Sequence, residues 1–174
     1  MKLIPIVTIT AVMGLTVSAI APANAQWWRT PRTQPTQSSQ AVAQTGNFQQ
    51  QILSLVNVER SKAGLKPLTL NSQLNQAAQN HTNDMISKGY FSHNSPTGGT
   101  MVSRVNAVGY RYSTIGENIA AGNSTAAATM TQWMNSPGHR ANILNPNFRE
   151  LGVGYGPSND QYRYYWTQVF GTAR

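Results

Sequence analysis

No cysteine occurs in this chain. That absence excludes disulfides, a thiolate nucleophile, cysteine-ligated zinc and a lipidated N-terminal cysteine, so stability has to come from packing. Acid is nearly as scarce: Glu59, Asp84, Glu117, Glu150 and Asp160 stand against 13 lysines and arginines, a formal charge of +8. A glycosidase working through two carboxylates would have to draw its pair from these five. An aspartic dyad would need Asp84 and Asp160 to meet, and neither sits in a motif suited to that. A basic balance draws a protein toward anionic polymers, envelope glycans or lipid head groups. The basic residues do not cluster, however, and without a basic stripe to track phosphates nucleic acid is not expected as a partner.

Long apolar runs are also few. The one of note, Leu3 to Ile20, follows Lys2 and precedes the small-x-small series Ala23-Asn24-Ala25. That order reads as a signal peptide over residues 1–25, with Gln26 opening the mature chain. An uncleaved anchor is the competing reading, and the small-residue site favours cleavage. No other segment is apolar enough to span a membrane. The expectation is a soluble, monomeric protein, secreted or held in the periplasm or cell envelope.

What remains is one domain's worth of chain, and 40% hydrophobic residues suffice for one core. Residues 26–46, rich in Gln, Thr, Ser and Pro, read as a flexible tail; residues 47–174 read as the folded domain. Phe48, Ile52, Leu55, Val56 and Ala63 recur at the helical period, and Gly64 and Pro67 end that helix. Asn71 or Ser72 caps a second helix whose apolar face runs Leu74, Ala77, Ala78, His81, Met85 and ends near Gly89; His81 then reads as a buried, hydrogen-bonded core residue. Residues 100–107 form a short helix stopped by Gly109. "GENIAAG" is a loop or short strand. Ser124 caps a helix through Met134, and Ser136 caps another with Pro137 in its first turn and Leu144 at its end. Leu151–Tyr155 and Tyr162–Phe170 read as strands around the turn "GPSNDQ", the second alternating and rich in Tyr, Trp, Thr and Val. Helices first and strands last indicate α+β.

Chemistry-bearing residues are few enough to follow singly. His93 and His139 lie in glycine- and proline-punctuated segments. Glu117 lies between apolar residues, where a carboxylate is costly unless paired. The three are candidates for one pocket. Two imidazoles and a carboxylate hold a divalent cation with an open position, or serve as acid and base. Their intervals, 24 and 22 residues, form no local ligand motif, so spacing does not decide between these.

Four segments in order, "HTNDMISKGYFSHNSPTGG", "GENIAAG", "WMNSPGHRANILNPNFRELGVGY" and "YYWTQVFG", resemble the CAP superfamily, whose domain is also called SCP. The resemblance runs from about Phe48 to Gly171. It implies a three-layer α-β-α sandwich with a central antiparallel sheet, and a cleft of two His and two Glu able to take a divalent ion. His93 is similar to the first cleft His, Glu117 to the Glu of the Gly-Glu-Asn motif, and His139 to the second cleft His. The fourth position, three after Trp133, holds Ser136 in place of an acid. A divalent metal, zinc by preference, is thus expected on His93, Glu117 and His139, with Gly138 letting the backbone come close. For function the resemblance implies a binding module for an envelope glycan, a lipid or a protein. A metal-dependent hydrolase, a peptidase among the options, is the alternative, with Glu117, His139 and His93 as candidate catalytic groups; Ser136 is a poor nucleophile if capping occupies its hydroxyl.

Overall fold

The structure, a computed structural model, describes the backbone of residues 37–174 and the side chains from residue 48 onward. The expected signal peptide and residues 26–36 lie outside the described residues. Helix α1 covers Gln37–Lys62, so it starts ten residues before the expected point. The residues from Gln37 to Gln44 are tolerable helix formers, and a single interior glycine, Gly46, costs only about 1 kcal/mol.

The remaining elements are β1 (Thr69–Leu70), α2 (Ser72–Lys88), α3 (Met101–Ala107), β2 (Tyr112–Ala121), α4 (Ala126–Asn135), α5 (Pro137–Ile143), β3 (Glu150–Pro157) and β4 (Tyr164–Ala173). Local chemistry sets the helix ends. The Asn71 side chain accepts from Leu74 N–H, and Gly89 closes α2 in the left-handed region. Thr100 and Ser103 form a capping box at α3. Thr125, one residue after the expected Ser124, caps α4. Ser136 does precede α5, but its side chain makes no capping bond there. The expected cap is therefore absent, although Ser136 has the extended backbone of an N-cap and also ends α4.

The sheet order is β1-β3-β4-β2. β2, β4 and β3 are antiparallel, and the two-residue β1 adds in parallel to β3. The expected antiparallel sheet is thus mixed by one short strand. "GENIAAG" belongs to a ten-residue strand, longer than its sequence indicates.

β4 is central and buried on both faces. Trp166 and Phe170 join the core under α1, α4 and α5, with Ile52, Val56, Met130, Trp133, Ile143 and Phe148. Val169 joins the opposite core, with Leu74, Ala77, Ala78 and Val105 of α2 and α3. The α-β-α sandwich follows from this two-sided burial. α2 lies very close to the sheet because β3 carries glycine where they cross. A Cβ on Gly152 would stand 2.0 Å from the Leu74 carbonyl carbon, and one on Gly154 2.5 Å from the Ala78 oxygen.

Side chains cap both sheet edges. Beyond the short β1, Val153 N–H donates to Asn75 Oδ1, Tyr155 N–H donates to Gln79 Oε1, and Gln49 donates to the Val153 carbonyl. On the β2 edge, Asn142 donates to the Glu117 carbonyl and Trp133 Nε1 to that of Ile119. Side-chain bonds of this kind blunt a sheet edge against pairing with another chain.

Candidate functional site

Consecutive strand residues point to opposite faces, and Gly116-Glu117-Asn118 of β2 uses this to tie both helical layers together. Gly116 is required: a Cβ there would meet the Phe148 ring at 2.8 Å. Glu117 turns toward α2 and α3. Asn118 turns toward α5, donating to the His139 carbonyl and to Gln168 Oε1 and accepting from Asn142. The site therefore sits at the β2 edge, where the two layers meet.

Glu117 is its centre, with a side chain only 3% exposed. Arg104 Nη2 of α3 donates to Oε2 at 2.7 Å. His93 Nδ1 lies 2.9 Å from Oε1; because an ionised carboxylate only accepts, Nδ1 is the protonated nitrogen. Burial pushes the Glu117 carboxyl up, but the His93 hydrogen bond and the Arg104 charge outweigh it and hold it below its ordinary value. His81 stands behind it, fully buried, with Nε2 3.8 Å from Oε1. Neither His81 ring nitrogen has a hydrogen-bond partner, so the expected hydrogen-bonded core histidine is buried but unpartnered. Burial pushes its pKa down to about 4 despite Glu117, and the ring is neutral at neutral pH.

His93 is carried on the turn between α2 and α3, with its side chain 53% exposed. Arg104 also donates to its carbonyl. The turn is moored by Lys88 Nζ, which donates to Ser95 and Thr97. His139, half-buried in the first turn of α5, makes no hydrogen bond to His93 or Glu117, and its Nδ1 is buried without a partner. Burial, then the nearby His93, lowers its pKa. Gly138 does not serve a close approach: a Cβ there would meet nothing within 4 Å. A cavity of 320 Å³ opens beside Glu117, lined by His93, Asn94, Thr100, Met101 and Val102. Its walls are mainly apolar, and Val102 is 45% exposed.

The donor set does not fit a three-ligand metal site. Among the described residues no three His, Asp or Glu side chains group so as to hold an ion. Both Glu117 oxygens are engaged by protein donors, and a guanidinium on Oε2 opposes a cation at the same oxygen. Sequence reasoning sought partners for Glu117 among the histidines and missed Arg104. The rule that a buried carboxylate needs a cation pointed to it, but no local spacing linked residues 104 and 117.

It also missed Arg60. This side chain is fully buried and donates to the carbonyls of Lys66, Ile143, Asn145 and Phe148. Two of these lie at the end of α5 and just after it, so Arg60 fixes from below the helix that carries His139.

The family model of the cysteine-rich secretory protein family, CAP, matches residues 53–170. The uncharacterized protein YkwD of Bacillus subtilis is 41% identical over 150 residues, covering 86% of this chain and 54% of that protein. An uncharacterized membrane protein of the same organism, YlbC, is 37% identical over 70% of this chain and 34% of its own length. The chain thus spans about half and a third of these two relatives. The structure of an extracellular SCP-domain protein from Bacillus anthracis is 37% identical with a TM-score of 0.69, covering 80% of this chain and 45% of that one. An outer surface protein of Borrelia burgdorferi shares the fold at 20% identity and a TM-score of 0.65, over 71% of this chain and 90% of that one.

Proposed function

This chain belongs to the cysteine-rich secretory protein (CAP) family, and from that premise we propose that it is an exported binding module of the cell envelope. The cavity beside His93 and Glu117 is its ligand site. The observation that carries this reading is the double engagement of Glu117 by Arg104 and His93. A carboxylate so held is a paired part of the wall rather than a free base for water. With Nδ1 committed to Glu117, His93 presents Nε2 outward as a hydrogen-bonding group. Met101 and Val102 supply the apolar wall, the usual composition of a small-ligand site.

The extracellular and outer-surface descriptions of the structural neighbours support an envelope location, as does the expected signal peptide. A metal-dependent hydrolase in the same cleft would route its chemistry through an ion that the donor set does not fit, and no observation favours it. Ser136 has no capping bond to occupy its hydroxyl, but no base is bonded to it either.

Co-sedimentation of the purified protein with isolated cell-wall fragments, and separately with phospholipid vesicles, tests the reading. The parent should pellet with one of them and Val102→Glu should not. Failure to bind either, or undiminished binding by Val102→Glu, would contradict it.

A further inference from the structure

His81 is out of keeping with its surroundings. It lies on α2 with no exposed surface, in a core where buried polar atoms are otherwise nearly all satisfied. Among the described residues, four buried side-chain nitrogen or oxygen atoms lack a partner, and two of them are the nitrogens of this ring. An imidazole left unpaired in an apolar core is a net cost that a leucine would not carry. Its polar edge is nonetheless aimed: Nε2 faces Glu117 Oε1 at 3.8 Å, about 1 Å beyond hydrogen-bond length. The same oxygen now accepts from His93 Nδ1 at 2.9 Å. The two histidines differ in freedom, since His93 rides on an exposed turn and His81 is locked in a helix against the sheet.

We propose that His81 is the reserve partner of Glu117: whenever the exposed turn that carries His93 swings away from the carboxylate, Oε1 passes from His93 Nδ1 to His81 Nε2. Arg104 holds Oε2 throughout, so the carboxylate pivots about that bond and stays ionised and buried. The handover needs only the neutral His81 tautomer with its proton on Nε2. His81 is thus a positioning residue that spares the site the cost of a half-paired buried carboxylate whenever His93 leaves. The exchange of partners is independent of the cleft reading above, in which His93 keeps Nδ1 on Glu117 and offers Nε2 to the ligand.

A double-mutant cycle without ligand tests the exchange. His81→Leu should leave the urea midpoint of the parent unchanged or raise it, because His81 has no bond there to lose. In the His93→Ala background the same change should lower the folding constant by roughly tenfold, the worth of a hydrogen bond to a charged group. Long-range proton–nitrogen spectra of the His93→Ala protein, which retains His81, give an independent readout. The His81 Nε2 proton should move downfield and exchange more slowly than in the parent. An additive cycle, or a His81 proton that does not respond to loss of His93, would overturn the proposal. Failure of wall or vesicle binding would leave both measurements standing, so the two readings fail separately.

Discussion

Arg60→Met removes a guanidinium but keeps an apolar stem of similar length, which isolates the polar contribution of the largest buried charge in the domain. Its three short bonds, to Lys66, Ile143 and Asn145, measure 2.8, 2.8 and 2.9 Å. A bond from a charged donor contributes about 1.5–3 kcal/mol net. Burial of the cation, aided by repulsion from Arg149, lowers the Arg60 pKa and offsets part of that sum. The balance is about 3–5 kcal/mol, because the change also strands buried carbonyls without a donor. At roughly 3–5 °C per kcal/mol for a domain of this size, the thermal midpoint should fall by about 10–25 °C. Arg60→Lys, with one ammonium for several carbonyls, should fall between. Hydrogen exchange should show the loss concentrated at the end of α5, around Leu144 and Asn145. A methionine variant within about 1 kcal/mol of the parent, with α5 equally protected, would refute the assignment.

Acid should destabilise the protein through His81. Its pKa is about 4 in the folded state against an ordinary 6.5, so in that window the unfolded chain binds a proton that the folded one refuses. Stability is fully present above pH 6.5 and falls as pH drops through the window, by about 3 kcal/mol at its acid end; His139, shifted the same way, adds to this. Urea midpoints at about pH 7 and pH 4.5 should therefore differ less in His81→Leu than in the parent, and equal acid sensitivity would remove His81 as the cause. Gly152→Ala drives a Cβ into the α2 backbone and should cost about 2–4 kcal/mol. Gly138→Ala meets open space and should stay within about 1 kcal/mol of the parent. The reverse order in chemical denaturation would contradict the packing described.

The fold was legible where one signal decided the outcome. The α2 face from Leu74 to Met85 and the Thr100 start of α3 are as the periods and caps indicate; the last strand is where expected in type, but it runs Tyr164–Ala173 and is buried on both faces instead of alternating. Boundaries failed where two signals competed. Gly46 and the polar composition before it suggested a tail, yet helix propensity carries α1 back to Gln37. Ser136-Pro137 carries the residue types of a cap without its bond. At the site, the meeting of His93 with Glu117 was anticipated from the cost of a buried carboxylate. Arg104, Asn118, Asn142 and Arg60 were not, because each acts across a contact between elements that no sequence spacing encodes. His81 has the expected burial but not the expected hydrogen bond, since periodicity gives the face of a helix but not what stands opposite.

The central claim is that Glu117 is a wall residue held by Arg104 and His93, not a ligand waiting for a cation. Titration calorimetry with zinc on the purified protein and on Glu117→Gln, His93→Ala and His139→Ala tests it most directly. The account predicts no tight one-to-one zinc binding by the parent, and any weak binding should be insensitive to Glu117→Gln. Tight stoichiometric binding that is lost in Glu117→Gln and in both alanine variants would contradict it and restore the three-ligand metal centre.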